Sequence, residues 1–263
     1  MREQAYRMTI PPGRRNKSAG RSAGAFTLIE LLVVIAIISI LMSVLVPSLR
    51  RAIERTRDVI CTANIRSIAF GWQFYLEDNK ETFPLWTQNS QWFYGGKHPA
   101  LVNTVSGAAL EYRPLNPYVQ RSLKNESEAE LFHCPQSRDI RDPWGVKRIT
   151  GGYDTYEYFG NCYMMNWTLM IGINPKTGWA QKGKPFHLRD VEISHARCVL
   201  TADCQWYYTI HDARWDAHFH NDHDEMSVAF LDGHVRFMQL VRGEAFTSNY
   251  SFSPYRIDSD DED

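Results

Sequence analysis

The chain has 263 residues, 44% of them hydrophobic and 13% aromatic, which is enough to bury a sizeable core and too apolar for a disordered polypeptide. A formal net charge of −1 conceals two opposite ends, because Arg2, Arg7, Arg14, Arg15, Lys17 and Arg21 crowd the first 25 residues and the chain closes on Asp258-Ser259-Asp260-Asp261-Glu262-Asp263. The basic arm runs directly into an apolar stretch, which assigns it to membrane orientation and argues against a nucleic-acid partner, and the five cysteines, odd in number and without a paired CxxC, argue against a zinc ribbon or knuckle.

Residues 1–25 read as a basic leader. Residues 26–46, Phe26 to Val46, form an apolar run of 21 residues with one charge, Glu30. At 1.5 Å per residue a helix of that length spans roughly 30 Å, the thickness of a bilayer's hydrocarbon layer. A secretory signal peptide is the competitor, but its apolar region is shorter and ends at a small-x-small cleavage site, whereas this run ends at Pro47-Ser48-Leu49-Arg50-Arg51. Six basic residues before the run against Arg50 and Arg51 directly after it place the N-terminus in the cytoplasm.

Residues 47–78 continue as helix, with Pro47 expected to kink it. Leu49, Ile53, Thr56, Ile60, Asn64 or Ile65, Ile68, Trp72 and Tyr75 recur at three and four and predict one packed face. From Phe26 to about Glu77 such a helix is roughly 75–80 Å long, more than a domain of this size can bury.

From residue 79 to 250 short apolar runs alternate with turn signals such as Phe83-Pro84, Gly95-Gly96, Asn116-Pro117 and Gly151-Gly152, which predicts a loop-rich globular domain. Two strands stand out, Arg197–Asp203 and Ser227–Leu231. The second leads through Asp232-Gly233 into His234–Leu240, a hairpin with a two-residue turn. Past Gly243 the chain turns polar and irregular, and 251–263 reads as an acidic tail. The fold class expected is α+β, a long N-terminal helix packed by its outer half on a small antiparallel sheet with irregular loops on the far side.

His211, Asp212, Asp216, His218, His220, Asp222, His223, Asp224 and Glu225 form a dense run of potential metal ligands. His218, His220, Asp222 and His223 are the candidate set for a structural divalent cation, with an ordinary polar loop as the alternative. No HExxH, phosphate loop or Gly-x-Ser-x-Gly elbow is present, so no catalytic residue is assigned and no organic cofactor is expected. Trp86, Trp92, Phe93 and Tyr94, and Trp206, Tyr207 and Tyr208, fit core packing or a carbohydrate-stacking surface, with core the simpler reading.

Ala25-Phe26-Thr27-Leu28-Ile29-Glu30 followed by the unbroken apolar run resembles the cleavage and methylation signal of type IV prepilins and pseudopilins. The resemblance implies a prepilin peptidase cutting between Ala25 and Phe26, methylation of the new N-terminus at Phe26, Glu30 as the fifth mature residue and Pro47 as a helix-kinking proline. The family prefers Gly before the cut, and Ala25 stands there instead. A lone carboxylate in hydrocarbon costs on the order of 2.5–3.5 kcal/mol on insertion scales, so Glu30 calls for a partner; a neighbouring subunit's Phe26 amine would serve, and reaching the head groups is the alternative.

Further segments resemble one subgroup of that family, which carries a C-terminal His, nine residues and Asp-Gly. They are Cys61–Ile68, Tyr75–Asn79 with Phe83-Pro84, Phe132–Pro135 and Tyr163–Asn166. Here eight residues separate His223 from Asp232, and eleven separate His220 from it. Some secretion pseudopilins hold calcium in a C-terminal loop, which agrees with a bound cation. In an oxidising compartment cysteines can bridge, and Cys61 and Cys134 are the candidate pair.

The resemblance implies a structural subunit of a type II secretion or type IV pilus-like assembly, single-pass in the bacterial inner membrane with its globular domain periplasmic or extracellular. Its partners would be the prepilin peptidase, other pilin or pseudopilin subunits, the inner-membrane assembly platform and lipid. A membrane-anchored protein that binds carbohydrate or metal without polymerising is the alternative, and a displayed metal-dependent hydrolase is a second.

Overall fold

A computed structural model describes residues 27–85, 94–97, 113–119, 130–137, 155–171, 186–211 and 224–256. The chain divides into two compact units, residues 1–50 and 51–263. In the first unit the described residues are helical from Leu28 onward and all exposed. They belong to helix α1, Leu28–Asp78, which contains Pro47. Proline has no amide hydrogen to give the preceding turn. Nearby hydroxyls turn back on the helix's own carbonyls, Ser43 on Ile40 at 2.7 Å and Ser48 on Leu45 at 2.8 Å.

In the second unit four antiparallel strands stand in the order β1 (Tyr163–Met165), β2 (Val199–Asp203), β3 (Glu225–Phe230) and β4 (Val235–Gln239). Every residue of β1 and β2 is buried, and so is all of β3 after Glu225, because the sheet is covered on both faces. On one face Cys61, Ile65, Ile68, Ala69, Trp72, Tyr75 and Leu76 of α1 join Tyr163, Met165, Leu200, Ala229 and Leu231 with Tyr94, Leu115 and Phe132. On the other, Met164, Val199, Ala202, Met226, Val228 and Phe230 meet Trp206 and Ile210 of the helix Gln205–His211, together with Leu240, Tyr250 and Phe252. This is the α+β arrangement expected, a long helix on one face of a small antiparallel sheet, with a short helix as well as irregular chain on the other.

The packed face of α1 begins later than the apolar spacing predicts. Leu49, Ile53 and Ile60 are exposed, and the buried stripe runs Cys61, Ile65, Ile68, Trp72, Tyr75. Cys61, one residue round the helix from Ile60, takes the first core position because it lies four and seven residues ahead of Ile65 and Ile68, on the same face. Polar contacts fix the same stretch: Asn64 donates to the His133 carbonyl at 3.2 Å, Gln136 donates to the Glu54 carbonyl at 3.2 Å and to the Asp58 carboxylate, and Thr62 meets Ser227 at 2.8 Å.

The hairpin turn differs from a two-residue loop. Ala229 pairs with Val235, Phe230 N–H donates to the His234 carbonyl at 3.0 Å, and Gly233 N–H donates to the Phe230 carbonyl at 2.9 Å, so three residues, Leu231-Asp232-Gly233, make the connection. Gly233 sits at φ +89°, the left-handed conformation that three-residue loops place after their turn. A Cβ there would lie 2.1 Å from Gln73 Nε2, which donates to the Asp232 carbonyl at 3.2 Å. The neighbouring His234 ring stacks on Phe230 with centroids 4.2 Å apart and meets the Asp232 carboxylate at 2.5 Å.

The packed region also runs past residue 250, where the tail was expected to begin. Ser251 bridges to Cys198, Phe252 is buried against Trp206, and Tyr255 meets Phe186 edge-on. The aromatic residues between 250 and 255 hold an otherwise polar stretch to the domain.

Candidate functional site

The N-terminal site is built from the first helical turn. Thr27 is its cap: Glu30 N–H donates to Thr27 Oγ1 at 3.3 Å, while Glu30 Oε2 accepts from Thr27 N–H at 2.9 Å and from Thr27 Oγ1 at 2.8 Å. This is a capping box, in which Thr and Glu three residues apart satisfy each other's free donors. Glu30 therefore has a partner within its own turn, a use of the carboxylate that the sequence reading missed although Thr27-x-x-Glu30 carries the signature.

Beyond it, the large aliphatic side chains from Leu28 to Val46 are 43–78% exposed. An unburied apolar surface of this extent on a helix long and apolar enough to cross a bilayer fits membrane anchoring. Ala25 and Phe26 lie outside the described residues.

Residues 20–46 match the family model described as the prokaryotic N-terminal methylation motif. Over 63 residues the chain is 44% identical to the type IV wide pilus major component PilA4 of Thermus thermophilus. The N-terminal part of the chain is therefore similar to type IV pilins. That alignment covers 24% of this chain and 48% of the relative, so the chain spans about half the length of the curated protein it matches. No solved structure matches significantly.

The other residues singled out in the sequence fare differently. His218, His220, Asp222 and His223 lie outside the described residues. Asp232 and Gly233 lie in the β3–β4 connection. Pro47 is inside α1. Tyr94 and Trp206 are core, with Tyr94 against Trp72 at 5.4 Å and Trp206 stacked on Phe252 at 4.3 Å, which removes both from any carbohydrate-stacking surface.

All five cysteines are buried and outside any disulfide, Cys61 and Cys134 included. Those two are brought together all the same, and a third group joins them: the Cys61 and Cys134 sulfurs and a carboxylate oxygen of Asp203 lie within 4.8 Å of one another. Each comes from a different element, α1, the Glu130–Ser137 segment and the end of β2. Asp203 is held by Ser227 N–H, which donates to Oδ2 at 3.0 Å across β2 and β3. Burial pushes the Cys134 thiol well up, and contact with Cys61 and the Asp203 charge push the same way. Burial likewise raises Tyr163, with Cys134 and Cys61 adding to it. Asp203 went unnoticed in the sequence because its two partners stand 69 and 142 positions away, with no local spacing to mark them.

A second buried polar centre is a clamp. Arg113 donates to the Gly95 carbonyl and, at 3.1 Å, to the Phe159 carbonyl, and burial lowers its pKa to about 10. It ties three separate segments together where backbone carbonyls would otherwise lack donors.

Proposed function

We propose that this chain is a structural subunit of a pilus-like fibre, cut by a prepilin peptidase between Ala25 and Phe26 and methylated at Phe26. The observation that carries the reading is the coincidence of the matched methylation motif with an apolar helical run that the fold leaves wholly unburied. In this reading residues 26–46 span the inner membrane with the leader in the cytoplasm, and 47–78 leads into an exported domain. The excess of leader Lys and Arg supports that orientation. Other pilin-like subunits and the assembly platform are its partners, and no catalytic step is required of it.

Fibres of this kind are open helical assemblies and need a contact between unlike surfaces of identical or related subunits. Glu30 supplies one half: once the leader is gone, the Phe26 amine of a neighbour competes with Thr27 for its carboxylate. An amine bond to a carboxylate is stronger in hydrocarbon than a hydroxyl bond. Glu30→Leu is therefore expected to insert and be cleaved but not to enter fibres, whereas Thr27→Ala, which removes only the cap hydroxyl, still assembles. N-terminal sequencing of the membrane-bound protein and sedimentation of sheared fibres read the two steps. A mature N-terminus beyond residue 46 overturns the anchor, and normal assembly of Glu30→Leu overturns the pairing. Fibres shed from the cell surface mark a pilus; assembly confined to the envelope, with secreted enzymes lost on deletion, marks a secretion pseudopilus.

A further inference from the structure

Cys61, Cys134 and Asp203 make an arrangement that the fibre-forming role does not use. We infer that these three residues bind a zinc ion inside the globular domain. The first argument is geometric. With Zn–S bonds of about 2.3 Å, a tetrahedral ion sets its sulfurs about 3.8 Å apart, so donors already within 4.8 Å need to move by only about half an ångström each. The second is chemical. Thiolates select soft or borderline ions and a carboxylate suits harder ones, and zinc accepts both.

The third argument concerns the carboxylate's surroundings. Asp203 is 1% exposed, and Cys61 and Cys134 are 0% and 1% exposed, so a carboxylate and two thiols share one dry volume. A buried carboxylate is unfavourable unless it is paired or coordinates a metal, and an ion among the three would take the thiols as thiolates. Ser227 N–H on Oδ2 orients the carboxylate, the outer-shell support that metal ligands commonly have. A bare pair of core cysteines would have no need of the acid.

Cys162 lies outside the group within 4.8 Å, and its side chain would have to turn toward the three to serve as a fourth donor. It is buried beside the site, its N–H donating to the Phe132 carbonyl at 2.8 Å and its carbonyl accepting from Cys204 N–H at 3.1 Å, which keeps it between the Cys134 segment and the end of β2. Four protein donors and no open position define a structural zinc site. The ion would pin α1, the Glu130–Ser137 segment and β2 to one another. The site lies wholly within residues 51–256 and stands whether or not the chain forms fibres.

The test uses the full-length protein in detergent, purified without chelator and under reducing conditions, dialysed and analysed for metal. About one equivalent of zinc per chain is expected, released in step with thiol modification by a mercurial reagent. After exchange, cobalt(II) alone should give a thiolate-to-cobalt charge-transfer band. Cys61→Ser and Asp203→Asn should each weaken zinc binding at least about tenfold, the loss that even an outer-shell partner causes. Cys198→Ser, which changes another buried thiol, should keep the ion and so controls for damage to the core. Less than about a tenth of an equivalent with no uptake of added zinc overturns the inference, since structural sites bind far more tightly than that. So does a Cys61–Cys134 disulfide in non-reducing peptide maps of protein taken from membranes. Both readouts are made on the unaltered chain, so a variant that fails to fold does not blunt them.

Discussion

Between Leu28 and Val46 no leucine, isoleucine or valine is less than 43% exposed, whereas Ile65, Ile68 and Leu200 are fully or almost fully buried. The residue types are the same in the two regions, so what differs is the company they keep. Ile65 and Ile68 share their core with Trp72 of the same helix and with Tyr163 and Phe132, supplied by chain far away in sequence. Between Leu28 and Val46 the described residues supply no such cover. Aliphatic surface of that extent in water would cost about 25 cal/mol per Å², which is why the second region makes a water-stable core and the first calls for lipid.

The largest expected effect comes from separating the two. A chain beginning at Arg51 should leave the membrane fraction entirely, yet keep the sigmoidal urea transition of a packed domain, because every buried residue of α1 lies at Cys61 or later. Fractionation followed by urea unfolding monitored by tryptophan fluorescence decides it. Retention in the membrane would mean that the globular part carries an anchor of its own, and loss of the transition would mean that residues 28–50 contribute to the core.

Much of this contrast was legible beforehand, and the reason lies in range. The apolar run from Phe26 to Val46 is a local pattern, and so is the Asp232-Gly233 turn; Thr27 and Glu30 are local too, yet Glu30 was matched to a neighbouring subunit and not to its own cap. What the turn hid was its length: Gly233 N–H bonding back to Phe230 adds Leu231 to the loop, a detail set by the strand register. The buried stripe on α1 was read one residue away from Cys61, because Ile60 outranks a cysteine on hydropathy and only the partner surface decides which of them faces inward. Ser251 and Phe252 read as the start of a polar tail, since the burial of Phe252 depends on Trp206 and Asn166, and Asn166 Nδ2 donates to the Phe252 carbonyl at 3.1 Å. In the Cys61, Cys134 and Asp203 cluster the resemblance already suggested the two cysteines as a pair, whereas Asp203 stands 69 and 142 positions from them with no local pattern to join it to them.

A smaller effect sharpens the contrast residue by residue. Trp72 is buried on the α1 side of the sheet, in ring contact with Tyr75, Phe83 and Tyr94, and Trp206 is buried on the opposite side, its indole N–H donating to the Met164 carbonyl at 3.1 Å. Trp72→Ala and Trp206→Ala should each lower unfolding stability by about 3–5 kcal/mol, the usual cost of deleting a fully buried indole. Ile38→Ala, on the exposed run, should leave the urea midpoint of the globular part unchanged. A comparable loss from Ile38→Ala would erase the distinction between the two regions.

The smallest effect is confined to high pH. Burial pushes the Cys198 thiol from an ordinary 9.0 up to about 12, so the folded chain holds this proton at pH values where the unfolded chain has released it. Below pH 9 both states are protonated and Cys198 adds no pH dependence. Between pH 9 and 12 the folded state binds more protons, and stability falls as pH rises, by at most about 1.4 kcal/mol per pH unit for one group. Buried tyrosines and other thiols add to the total decline, so the informative quantity is a difference: Cys198→Ala should make the fall in urea midpoint between about pH 9 and 10.5 shallower than in the unaltered chain. Equal slopes would mean that the thiol reaches water in the folded domain, which would place Cys198 outside the dry volume that separates this region from the lipid-facing helix.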